Sequence, residues 1–163
     1  MSLRAARKST DIQQCIYQLL AAKAAATSPW TSWTVVLGWP EDDVFKRFSK
    51  PVLYVEAPLC NGDFNQQGGA GYERYSMIIG AWCDRKTGGE EEMNIITDTT
   101  LNLFKDPKTL QSTSTFNVTT STAYTGTTLT AQGIVVQQIN GPRVLTAEDP
   151  KEFRREFEVI LIA

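Results

Sequence analysis

From Tyr75 to Cys83 every second residue is apolar: Tyr75, Met77, Ile79, Ala81 and Cys83. A period of two over that length predicts one long strand across 72–84, with these five side chains on a buried face. The other face, with Arg74, Ser76, Ile78 and Trp82, is mixed rather than cleanly polar. A long strand cannot bury a face by itself. The chain must therefore build a sheet and cover one side of it.

Two segments have the helical period needed for that cover. Ile12, Cys15, Ile16, Leu19 and Leu20 form one apolar stripe, which predicts a helix over Thr10–Ala26. Thr10 and Gln13 fit a capping box, Asp11 suits the positive end of the helix dipole, and Ser28-Pro29 stops the element. A second helix follows Gly88-Gly89, with Met93, Ile96, Thr100, Leu103 and Phe104 as its buried stripe and Asp106-Pro107 at its end. Glu90, Glu91 and Glu92 crowd its first turn. Adjacent helical residues point in different directions, so this trio reads as helix-start charge and not as a cation site.

The remaining segments are shorter. Trp33–Gly38 reads as a strand with Trp33, Val35 and Leu37 on one face, and 52–57 as another after Pro51. Between them, Val44, Phe45 and Phe48 predict one or two helical turns over 41–48. Residues 58–71 are polar and glycine-rich, and read as a flexible loop or an arm. They lack the Lys-Ser/Thr of a phosphate-binding loop. Residues 112–132 are rich in threonine and serine, which predicts a hairpin arm reversing at Tyr124-Thr125-Gly126. A strand at 134–139 is expected to break at Gly141-Pro142. The closing segment alternates Phe153, Arg155, Phe157, Val159 and Leu161 with Arg154, Glu156, Glu158, Ile160 and Ile162. Its charged half is expected beside Tyr72–Ser76, and its apolar end needs a cover. The order of elements predicts a single α+β domain, 1–163. Its parts are a mostly antiparallel β-sheet, two main helices on one face and an extended hairpin arm.

The chain has 163 residues and a net charge of −2, from 16 basic and 18 acidic residues. It therefore offers no basic field for specific nucleic-acid binding or for an anionic membrane. No apolar run approaches a membrane span, and the basic N-terminus lacks the apolar core of a signal peptide. There is no histidine, which excludes Ser–His–Asp, Cys–His and His-ligated zinc chemistry. Cys15, Cys60 and Cys83 are an odd set without a C-x-x-C pair, and read as reduced thiols. Nothing points to a catalytic residue, a metal or a cofactor, so the chain is read as non-enzymatic. The four tryptophans allow one other reading, a small-molecule or carbohydrate-binding module using Trp33, Trp39 or Trp82 as a platform.

Taken together, the helix Thr10–Ala26, the proline-led strand 51–57, the polar loop, the strand 75–84, the helix after Gly88-Gly89 and the closing strand 152–162 form a recognisable order. That order resembles the tail terminator (tail completion) and neck proteins of tailed bacteriophages, over most of the chain. The resemblance implies a structural virion protein with no catalytic residue, assembled in the host cytoplasm and residing in the tail or neck. It implies a ring, usually hexameric, that caps the tail tube. Its further partners would be a head–tail connector or other neck protein and, in contractile tails, the sheath. Candidate interface residues are Phe64 and Tyr72 by the loop, Arg74 and Trp82 on the long strand, Tyr124 in the hairpin and Arg154 on the closing strand.

Overall fold

The computed structural model describes residues 8–38, 47–61, 74–105, 115–118, 127–130, 135–145 and 151–162. It has an α+β fold. Helix α1 (Lys8–Ala26) and a single 3-10 turn (Trp30–Ser32) lead into strands β1 (Thr34–Leu37), β2 (Val52–Val55), β3 (Leu59–Asn61) and β4 (Arg74–Asp84). Helix α2 (Gly89–Lys105) follows, then β5 (Thr115–Val118), β6 (Thr127–Thr130), β7 (Val135–Leu145) and β8 (Glu152–Ile162).

Six strands form one sheet in the order β1-β2-β4-β8-β7, with β3 also paired to β4. Only the β1–β2 pair is parallel; β2–β4, β3–β4, β4–β8 and β7–β8 are antiparallel. The long alternating segment is thus the central strand. Tyr75, Met77, Ile79, Ala81 and Cys83 are all buried on one face. Ile12, Cys15, Ile16, Leu19 and Leu20 of α1 meet that face, as do Met93, Ile96, Leu101 and Phe104 of α2. Both helices therefore pack on the same side of the sheet. Burying each large side chain there contributes about 1.5–3 kcal/mol relative to exposure. Phe104 and Phe157 meet edge-on at 6.2 Å, joining α2 to β8.

Several expectations need correction. Helix α1 begins at Lys8, so Thr10 lies inside it and cannot be the N-cap. Gln13 instead donates through Nε2 to the Val55 carbonyl at 3.0 Å, tying the helix to β2. The segment read as loop 58–71 starts with a strand, because Leu59–Asn61 pair with Ser76, Tyr75 and Arg74; its remainder lies outside the described residues. The expected helical turns over 41–48 also lie largely outside them.

Strand β7 does not stop at Gly141-Pro142 but runs on to Leu145. It is an edge strand, where proline's missing N–H removes no ladder bond. A register shift between Asn140 and Arg143 absorbs the irregularity. Gly141 takes φ 112°, and a Cβ there would meet Glu156 O at 3.2 Å, so glycine suits the site.

The charged half of β8 pairs with the far end of β4: Glu158 faces Ile78, Glu156 faces Gly80 and Arg154 faces Trp82. The apolar end of β8 faces Arg74–Ser76 instead. Antiparallel pairing of the two strands in full register dictates this order. Finally, β5 and β6 pair antiparallel as a separate two-stranded ribbon, as a hairpin at 112–132 requires. The reversal between them lies outside the described residues.

Candidate interaction surface

Strand alternation sends a second set of side chains to the face away from α1 and α2. It consists of Val36, Val52 and Tyr54, then Arg74, Ser76, Ile78, Gly80 and Trp82, then Arg154, Glu156, Glu158 and Ile160, and finally Gln138, Asn140 and Arg143. One corner is apolar: Val52, Tyr54 and Trp82 are buried together, with Val36 and Phe48 against them.

The middle of this face is a polar network. Gly80 leaves a gap in the central strand, and the Tyr54 ring fills it; a Cβ on Gly80 would lie 2.0 Å from Tyr54 Cζ. Through that gap the Tyr54 hydroxyl donates to Glu156 Oε1 at 2.7 Å. Burial, followed by the Glu156 hydrogen bond, pushes the phenol well above its ordinary pKa, so it remains a donor. Glu158 accepts from the Ser76 hydroxyl and, at 2.8 Å, from Asn140 Nδ2. Gln138 Nε2 in turn donates to Asn140 Oδ1 at 2.6 Å. The Ser76 and Asn140 hydrogen bonds, with smaller help from Arg143 and Arg74, hold Glu158 below the usual carboxylate range. Glu56 behaves oppositely: burial, then the Glu156 charge, raises its pKa. On this face Arg143 stands opposite Glu156 and Asn140 opposite Glu158.

Of the six candidate interface residues, Arg74, Trp82 and Arg154 lie on this one face, and Trp82 and Arg154 are cross-strand partners. Arg74 and Arg154 are half-buried. Trp82 is only 1% exposed and belongs to the apolar corner, so it contributes no surface. Phe64, Tyr72 and Tyr124 lie outside the described residues. Sequence reasoning passed over Tyr54 and Glu56 and, on the closing strand, Glu156 and Glu158. The signal for the last two was faint: Glu156 and Glu158 occupy the alternate positions of a strand whose other positions are mainly apolar.

The tryptophan platform fares the same way as Trp82. Trp30 and Trp33 are buried and meet edge-on at 5.1 Å, and Trp33 Nε1 donates to Glu92 Oε1 at 2.5 Å. The third glutamate of the helix start is therefore also an indole acceptor. Trp39 lies outside the described residues.

The two buried thiols, Cys15 and Cys83, are each pushed up to about 12 by desolvation, whereas Cys60 is exposed on β3. Among the described residues no group of His, Cys, Asp or Glu side chains could hold a metal ion. None of the described helices is long and apolar enough to cross a membrane. At the edges of the main sheet, Leu59 on β3 and Val144 on β7 are 71% and 76% exposed.

No protein-family model matches the chain, and no curated protein matches it.

Proposed function

We propose that this chain is a structural assembly subunit of the phage tail-terminator or neck type, whose copies close into a ring on the end of a tail tube. The observation that carries the reading is the β5–β6 ribbon. It is a two-stranded element outside the main sheet, of the kind an assembling subunit extends to a neighbour. Two further features support it. The main sheet ends in edge strands bearing the exposed apolar residues Leu59 and Val144. The half-buried Arg74 and Arg154 stand on a face to which neither helix packs. In a closed ring, rotational symmetry satisfies one such patch on every subunit without open-ended growth.

In this reading the ring stops tube growth and presents the surface that joins the head, with a connector or neck protein and, in contractile tails, the sheath as further neighbours. It carries out no chemistry and resides in the virion after assembly in the host cytoplasm. A ligand-binding module is the other reading, but each tryptophan among the described residues is buried.

Light scattering behind a sizing column over a range of concentrations, with negative-stain images of any large peak, tests the proposal. The expected result is a ring of several copies, formed alone or on addition of purified tail tubes. A strict monomer that also ignores tail tubes would sink it.

A further inference from the structure

Helix α1 carries no charged residue between Asp11 and Lys23. From Ile12 to Ala21 none of its side chains is exposed; each is buried or half-buried. A helix lying on one sheet normally turns a charged face to water. This one is covered on more than its sheet side. Strands β5 and β6 both run alongside it. Their ribbon is hydrogen-bonded within itself, Thr115 to Thr130 through Val118 to Thr127, and forms no ladder with the main sheet. A two-stranded ribbon is marginally stable alone and needs a surface to rest on. Here α1 is that surface.

We propose that the β5–β6 ribbon is an exchangeable arm, which in the assembled ring rests on α1 of the neighbouring copy as it rests on its own α1 in the single chain. The inference builds on the ring reading and names the contact that would close it. Every copy offers the same helix face and the same ribbon, so exchange needs no new kind of contact and is a low-cost route to association. The ribbon is joined to α2 through residues 106–114 and to β7 through residues 131–134, so the shorter connection, at most about 15 Å at full extension, requires the neighbour's α1 to lie close beside β7. The uncharged face of α1 would then be covered in both states.

The full-length chain can be tested with a photo-crosslinking benzophenone amino acid in place of Phe116 and, as a second variant, in place of Leu129. Light-isotope and heavy-isotope copies are mixed in equal amounts before assembly, the rings are isolated and irradiated, and ribbon–α1 crosslinked peptides are read by mass spectrometry. Random exchange around a ring predicts that about half of these peptides join one light and one heavy chain. Rings whose ribbon–α1 crosslinks all join chains of one isotope would overturn arm exchange and leave the ring reading standing. A monomer at every concentration, with and without tail tubes, would overturn both. A chain lacking 112–132 should keep its helix content and fail to form rings; rings from that chain would also overturn the proposal.

Discussion

Tyr54 reaches over Gly80 to Glu156, so that β2 and β8 are joined across the strand that separates them. The hydrogen bond depends on a missing side chain. Gly80→Ala would place a methyl group within the Tyr54 ring, forcing the ring out and breaking the bond. The expected loss is about 3 kcal/mol from overpacking and the lost hydrogen bond together. Tyr54→Phe removes the hydroxyl alone and is expected to cost about 1–2 kcal/mol. Urea denaturation of both variants checks the order. Equal losses would mean that the close approach at Gly80 is unimportant.

The carboxylates on this face should titrate in opposite senses. Glu56 has a raised folded pKa, so its ionised form subtracts stability at neutral pH, and the penalty fades as pH falls through that raised value towards the ordinary one. Glu56→Gln should therefore stabilise the protein at pH 7 and do little at pH 4. Glu158 has a lowered pKa, so its charge adds stability above the ordinary carboxylate value, and this is lost as pH falls through the lowered one. Glu158→Gln should destabilise at pH 7, with the difference from wild type shrinking in acid. Thermal melts across pH 3–8 read both signs.

Inside α2, two buried threonines differ. Thr97 Oγ1 donates to the Met93 carbonyl at 2.7 Å, while Thr100 Oγ1 is buried without a hydrogen-bond partner among the described residues. Replacing an unsatisfied buried hydroxyl by a methyl group of similar shape relieves its desolvation cost. Thr100→Val is expected to stabilise by about 1 kcal/mol, and Thr97→Val to gain less or to lose. Chemical denaturation of the pair decides it; a destabilised Thr100→Val would mean that the hydroxyl is satisfied after all.

The thiols should also separate. Cys60 is exposed, whereas Cys15 and Cys83 are buried and pushed up to about 12. A thiol reagent at pH 8 should modify only Cys60 in the folded protein and all three cysteines in denaturant. Rapid labelling of Cys83 under native conditions would show that α2 lifts easily from β4, since Cys83 Sγ donates to the Gly89 carbonyl at the start of that helix.

The periodic features were determined by sequence alone. Tyr75 to Cys83 and Phe157 to Leu161 alternate, and Ile12 to Leu20 and Met93 to Phe104 recur at helical spacing, because each pattern reports one buried face. From these follow the α+β class, the long strand at 72–84 and the face that the helices cover. The uncharged stretch between Asp11 and Lys23 also bore a message, that α1 is covered twice, although only the placement of the ribbon gives it meaning.

Tertiary structure decided whatever depends on a partner distant in the chain. Pairing register set Trp82 against Arg154 and buried the indole, where local composition had suggested an open surface. The position of β7 at the sheet edge let the strand continue through Pro142, which a central strand would not tolerate. The gap at Gly80 gained its purpose from Tyr54, on a different strand. Alternation encodes a face, and it carries no information about which strand lies alongside. Neighbours are chosen by the free energy of the whole sheet, and with them the surface this chain shows to other molecules.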